Sequence, residues 1–298
     1  MRFAPALFAL LLCVGLRAQT LSDEEIFRYS GMPNSETYTS FKSAFANAKR
    51  GTVSKLSIVN EPAPKKLDKL SEVTSLQVLK LSNNFITNLP ADIGNLTSLV
   101  FFKSENNPLK TLPGSIGNWG SLIYLRLVNT QMDSLPKEVG YLDKMKEWLW
   151  SGNKGDTIKL PKEVKYLKSL KTMRLDSVLL DTIPQEIALL TELKELQLNG
   201  CNITLLPHFW VDYKGTTRGL AKLEILKLSG NTISELPYTL FYCRNLTVLD
   251  LSNNKLTHIS DDISLLTKLQ VLDLRGNSLS KYDLEVLQGL LPGCRIYY

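Results

Sequence analysis

Reactive side chains are scarce in this 298-residue chain: four cysteines, Cys13, Cys201, Cys243 and Cys294, and two histidines, His208 and His258. Cysteines so few and so widely spaced exclude a disulfide framework, so a packed core must hold the fold together. Neither histidine has a metal-ligand partner at helical spacing, and no H-E-x-x-H, G-x-S-x-G or phosphate-cradling glycine loop occurs. Convergent catalytic groups are missing. The sequence therefore points to a non-enzymatic protein that takes no cofactor and no metal. Low-complexity tracts are absent too, and 44% hydrophobic against 21% charged residues is the composition of a folded chain.

Long apolar runs are also lacking, since nothing beyond the start approaches the ~18 consecutive apolar residues of a membrane span. The start, MRFAPALFALLLCVGLRAQT, sets Arg2 before an apolar run from Phe3 to Leu16 and a small residue at Ala18. That is the layout of a secretory signal cleaved after Ala18, and it predicts a secreted or periplasmic protein. Cys13 sits within the run behind Leu12 and reads as part of the signal rather than as a lipid-attachment cysteine. Cleavage would remove Arg2 and Arg17, lowering a formal net charge of +6 by those two. So mild a balance gives no reason to expect a nucleic-acid partner.

What the chain does contain is leucine at fixed intervals. The stretch LQVLKLSNNFITNLPADIGNLTSL, residues 76–99, alternates Leu79 and Leu81 with Val78, Lys80 and Ser82, a period of two that makes a short strand with one face inward. Ile86, Leu89, Ile93 and Leu96 fill the same interior from the returning limb. The pattern recurs from Val53, Leu76, Leu99, Leu122, Met145, Leu170, Leu193, Leu223, Leu246 and Leu269, mostly in steps of 23 residues. One coil cannot bury this surface alone, so neighbouring coils must stack into a continuous parallel sheet. Asn84 falls where the chain leaves the strand, and a buried amide there can satisfy turn backbone that no ladder pairs. The equivalent residues are Glu61, Asn84, Asn107, Thr130, Asn153, Val178, Cys201, Asn231, Asn254 and Asn277. Val178 can neither donate nor accept, which predicts a weak turn or a bound water there.

Ten copies of L-x-x-L-x-L-x-x-N-x-L/I-x-x-L-P resemble the leucine-rich repeat family, and tails such as LPADIGNLTSL, residues 89–99, resemble its 23-residue LPxxIxxLxxL subclass. The resemblance implies an α/β solenoid, a curved right-handed stack with a concave parallel sheet, and Cys201 as a tolerated ladder member. Lacking cysteine-rich ends, the chain is similar to secreted bacterial members. The expected organisation is a signal over 1–18, an N-terminal helical cap over 19–52 and a solenoid of ten repeats over 53–298. SDEE at 22–25 has capping-box form, and Tyr38, Phe41, Phe45 and Ala48 recur at helical spacing. At the other end LEVLQGLLPGCRIYY predicts a short helix stopped by Pro292 and Gly293, then a last strand, with no second domain expected after it. Extra residues near 153–161 and in HFWVDYKGTTRGLA, 208–221, are assigned to loops, and the cluster His208, Phe209, Trp210 and Tyr213 reads as folded back on the convex core, with a contact point as the alternative.

Stacking turns equivalent positions into columns on the exposed face. One runs Val78, Phe101, Tyr124, Glu147; the next runs Lys80, Lys103, Arg126, Leu149, Arg174 and ends in Asp250 and Asp273. The aligned aspartates read as a solvated charge ladder rather than as a calcium site or acid dyad, because Lys227 and Arg275 stand nearby. Successive cations about 4.8 Å apart oppose folding unless offset, in part by Glu105 and Glu147. Beside them Phe101 and Tyr124 supply residue types enriched at interface centres. The expected function is a non-enzymatic scaffold that binds a protein or peptide on its concave face through Val78, Lys80, Phe101, Lys103, Tyr124, Arg126 and Arg174. The alternative is a carbohydrate-binding or surface-adhesion protein in which aromatic rings stack on sugars.

Overall fold

Alternating inward leucines make strands too short to stand alone, and the structure pairs every one of them with the equivalent stretch of the next coil. The computed structural model describes residues 36–49, 51–62, 67–153, 157–208 and 219–298. The chain divides into two compact units, Met1–Glu36 and Thr37–Tyr298, and the second carries every element described. Its strands are β1 (Thr37–Tyr38), β2 (Lys55–Val59), β3 (Val78–Ser82), β4 (Phe101–Glu105), β5 (Tyr124–Val128), β6 (Glu147–Ser151), β7 (Thr172–Asp176), β8 (Glu195–Gln197), β9 (Ile225–Lys227), β10 (Val248–Asp250), β11 (Val271–Asp273) and β12 (Arg295–Tyr297). They form one twelve-stranded sheet in sequence order, parallel throughout. The result is a curved solenoid with this sheet on its concave side. The signal stretch, SDEE and the aromatic cluster Phe209, Trp210 and Tyr213 lie outside the described residues.

The register places Leu79, Phe102, Leu125, Trp148 and Met173 in one row facing inward. All five are fully buried, and the returning limb supplies Ile86, Ile93 and Leu96 to the same interior. Phe102 and Trp119 pack with ring centroids 5.1 Å apart, and the Trp119 indole N–H donates to the Ile93 carbonyl at 3.0 Å, so a bulky side chain spans two coils without an orphaned donor.

On the outer side Pro113, Pro136, Pro161, Pro184 and Pro237 each open a 3-10 turn. Pro136, at φ −68° and ψ 143°, holds the dihedral its ring already favours, and its carbonyl accepts from Val139 N at 3.1 Å. These turns stack so closely that a Cβ on Gly94 or Gly140 would stand 2.2 Å from the Ser115 or Glu163 carbonyl oxygen. Only glycine fits there.

The ends repay comparison with the sequence. Helix α1 spans Phe41–Ala48, with Phe41 and Ala44 buried, and Ser40 caps it by accepting from Ser43 N at 3.2 Å. Tyr38 is not on that helix: the cap ends helical geometry at Ser40, and the residues before it add β1 to the edge of β2, with Tyr38 opposite Leu56. Helix α2 spans Lys281–Leu290 behind a Ser280–Asp283 capping box, and β12 follows. Among the described residues no helix is long and apolar enough to cross a membrane.

The asparagine row works as a coil-to-coil clamp. Asn107 Oδ1 accepts from Asn84 N at 2.9 Å and Ile86 N at 3.2 Å, while its Nδ2 donates back to the Leu81 carbonyl at 3.0 Å. Asn231 repeats this on Cys201 N, Ile203 N and the Leu198 carbonyl, and Asn254 and Asn277 continue it. Cys201 takes its place in the row: the thiol donates to the Leu175 carbonyl at 2.7 Å, and burial pushes it up to about 12. That is a structural thiol, not a nucleophile. The turn that would meet Val178 runs through 154–156, outside the described residues.

A second row, which the pattern did not announce, occupies the position just before the clamp. Asn60, Asn83, Asn106, Asn129, Ser177 and Asn253 have φ between 50° and 57°, and Gly152, Gly200, Gly230 and Gly276 share the left-handed conformation. Asparagine tolerates it and glycine accepts it freely, so the exit from every strand selects these residues. Asn106 Nδ2 donates to Asn83 Oδ1 at 2.9 Å, and a Cβ on Gly152 would come within 2.3 Å of Asn129 Oδ1.

Asn107→Ala strips partners from two buried N–H groups and is expected to cost at least about 2 kcal/mol in urea unfolding. Asn106→Gly, an exposed neighbour in the left-handed region, is expected to stay within about 0.5 kcal/mol of the parent. Equal losses at the two positions would refute the clamp.

Candidate partner-binding face

Period-two alternation turns one set of strand residues outward on the concave side, and the parallel register makes them neighbours. Val78, Phe101, Tyr124 and Glu147 pair directly across β3 to β6, and Lys80, Lys103, Arg126, Leu149 and Arg174 across β3 to β7. All seven expected contact residues are therefore brought onto one surface, over the columns read from the sequence.

Their exposure differs from expectation. Phe101 is fully buried and Val78 is 2% exposed, although neither belongs to the interior core. The Lys80 Nζ lies 5.8 Å from the Phe101 ring centroid, the Arg126 Cζ lies 5.7 Å from it, and the Tyr124 ring packs at 6.2 Å. Long cationic stems lie along the sheet and roof the ring, so Phe101 is a bed for the surface rather than an open anchor. Tyr124 and Lys103 remain partly open.

The cations neutralise themselves. Arg126 donates from Nε at 3.0 Å and Nη2 at 2.7 Å to Glu147 Oε1, and both residues are buried. Arg174 grips both carboxylate oxygens of Glu195 at 3.0 Å, leaving its Nη1 buried without a hydrogen bond. Lys103 pairs with Glu105 at 2.8 Å. The roles of Glu105 and Glu147 match expectation, whereas Glu195 was missed. Its signal lay in the diagonal relation: Arg126 and Glu147, like Arg174 and Glu195, sit on adjacent strands two residues out of register. Burial, then the Glu147 charge, pushes the Tyr124 hydroxyl above its usual range, partly countered by Arg126.

Asp250 and Asp273 align as expected, but each is already engaged. Asp273 accepts from Arg275 Nε at 3.0 Å, and Asp250 accepts from Ser252 Oγ at 2.7 Å. Among the described residues no group of three or more side chains could hold a metal ion. His258 pairs with Asp283 at 3.0 Å on the surface.

Burial raises the Asp176 carboxyl above its usual range, against hydrogen bonds from Asn199 and the charge of Arg174. The folded protein thus holds this proton more tightly than the unfolded chain. The contribution to stability is fullest below the usual carboxylate range and is lost as pH rises through the raised value. Asp176→Asn keeps the acceptor and removes the buried charge. The unfolding free energy from urea titration at neutral pH is expected to rise, by less than about 1 kcal/mol, and a lowered value would contradict this reading.

Comparison with known proteins follows the same geometry. Leucine rich repeat models match residues 221–279 and 244–290, and a further one matches 75–96. No curated protein sequence matches the chain. Among solved structures, a leucine-rich repeat protein of Leptospira interrogans is 28% identical over 89% of this chain and 70% of its own, at a TM-score of 0.69. An internalin of Listeria monocytogenes shares the fold at 19% identity and a TM-score of 0.59, covering 88% of this chain and 77% of that one. The ectodomain of an Arabidopsis thaliana membrane receptor kinase, solved with a Casparian strip integrity factor, is 25% identical at a TM-score of 0.61. This chain covers 32% of that ectodomain, which covers 81% of this chain. Repeat pattern and parallel stack agree with these matches: the chain carries leucine-rich repeats and has the leucine-rich repeat fold.

Proposed function

We propose that this protein is a non-catalytic scaffold that binds a protein or peptide on its concave face. The observation that carries the reading is the roofed aromatic bed: Val78, Phe101 and Tyr124 lie in one column, with Lys80, Lys103 and Arg126 over and beside them. A rigid sheet holds these groups in place before a partner arrives, so little ordering entropy opposes association. Arg126 and Arg174 are pinned by Glu147 and Glu195, and stiffen the floor of the face rather than offering loose charges. Lys80, Lys103 and Tyr124 are the groups a partner meets first. The complex between the receptor kinase ectodomain and its integrity factor supports a ligand-binding role for a solenoid of this kind. The reading includes a signal over 1–18 that directs the protein to the periplasm or exterior, ahead of a cap over 19–52 and repeats over 53–298.

Secreted and surface proteins captured by the wild type are compared with those captured by a Lys103→Glu, Tyr124→Ala variant. Loss of a specific protein, with about tenfold or weaker affinity once it is isolated, is the expected outcome. Equal capture by both proteins, or binding to glycans alone, would sink the concave-face assignment.

A further inference from the structure

Charges on the concave face find partners within the protein; a second row of cations, along the edge where the chain enters the strands, does so only in part. Lys146, Lys171 and Lys194 occupy the same position in three consecutive coils. The Lys171 N–H donates to the Lys146 carbonyl and the Lys194 N–H to the Lys171 carbonyl, each at 2.9 Å. All three are exposed, and neighbouring coils are about 4.8 Å apart. Lys144 and Lys168 stand beside this row, just before their strands. Lys194 is paired with Glu224 at 2.7 Å, and Glu192 is taken by Lys222 at 2.6 Å. Among the described residues no carboxylate pairs with Lys144, Lys146 or Lys171. Like charges on adjacent strands oppose folding, and here Glu192 and Glu224 offset them only toward the Lys171–Lys194 end of the row.

Aromatic surface accompanies this charge. Tyr141 and Tyr166, at one repeat position in adjacent coils, are 50% and 47% exposed, and Leu189 follows at 40%. Tyr141 lies against the backbone of Gly117 in the preceding coil, and the Lys165 Nζ sits 5.1 Å from the Tyr166 ring centroid. Farther along the same edge an open groove of about 300 Å³ is lined by Lys194, Lys222, Glu224, Asn245, Thr247 and Lys268. A second, of about 580 Å³, shares Thr247 and Lys268 and continues past Gln270. Amides and hydroxyls thus prolong the row beyond the exposed rings.

We propose that this edge binds an acidic polysaccharide, independently of the concave face. A polymer with an acid group recurring along its length suits cations recurring coil by coil. Its sugar rings have apolar faces for Tyr141 and Tyr166, and its hydroxyls suit the exposed Gln270 amide and, as donors, the Thr247 hydroxyl oxygen, whose own proton goes to the Glu224 carbonyl. An acidic peptide offers the charges but neither rings nor hydroxyls. Extended polymer lying along the edge also engages several weak contacts at once, so affinity grows with length.

The test uses the purified full chain with polygalacturonate, heparin, neutral dextran and poly-L-glutamate as probes. Polygalacturonate and heparin are expected to bind, dextran not, with affinity weakening at least about tenfold as salt rises from roughly 50 to 200 mM. Lys146→Glu with Lys171→Glu, and the gentler Lys146→Ala with Lys171→Ala, are expected to reduce binding about tenfold and about threefold. Tyr141→Ala with Tyr166→Ala is expected to weaken polysaccharide binding while leaving poly-L-glutamate unchanged. Lys103→Glu, on the concave face, is expected to have no effect, which keeps this outcome separate from that of protein capture. Failure of both acidic polysaccharides to bind at low salt overturns the proposal. So does poly-L-glutamate binding as tightly as they do without regard to the tyrosines, and so does indifference to both lysine pairs.

Discussion

The amide clamp between coils is the constraint on which the rest of this molecule depends. A parallel solenoid must turn its backbone out of each strand while still inside the core, where water cannot supply hydrogen bonds. Asn107, Asn231 and their equivalents answer this by accepting from the turn of one coil and donating to its last strand carbonyl. Once those bonds fix the turn, the register of every strand follows, and so does the placement of every outward side chain. The concave columns are a consequence of the buried row.

Much of this was legible in the sequence because the repeat leaves so little freedom. Period-two leucines gave the strands, the spacing gave the columns, and an asparagine at a position due a leucine gave the clamp. The failures have a common physical cause. Column reading treats side chains as if they stood upright, whereas Lys80 and Arg126 lie down and cover Phe101. The diagonal step that joins Glu147 to Arg126 recurs from Glu195 to Arg174, but there Thr172 and Gln197 are the direct neighbours and mask it. Tyr38 matched a helical spacing by coincidence, because nothing in a list of apolar intervals weighs the capping strength of Ser40 against it. The left-handed row was hidden in the alternation of Asn and Gly, which a search for leucines passes over.

Charge is distributed by a similar logic. On the concave face, arginines are locked to glutamates on the adjacent strand, so the surface is rigid and close to neutral where it is most enclosed. Along the strand-entry edge the lysines are long, exposed and spaced by the coil repeat, where solvent screening makes their mutual repulsion tolerable. One architecture thereby presents two faces of different character, the first enclosed and internally compensated, the second exposed and open to counter-charge.

The strand exits bear on how such a protein could change over evolutionary time. The Asn129 amide fills the space a side chain on Gly152 would need, and Asn253 stands in the same relation to Gly276. Where Asn follows Asn the amides bond to one another instead, Asn106 to Asn83 at 2.9 Å and Asn129 to Asn106 at 2.6 Å. Exchange of single coils is therefore open where the row runs Asn on Asn, and is obstructed where a glycine backbone has closed on the preceding amide, so the array can gain or lose coils more freely near Asn83 and Asn106 than around Gly152 or Gly276.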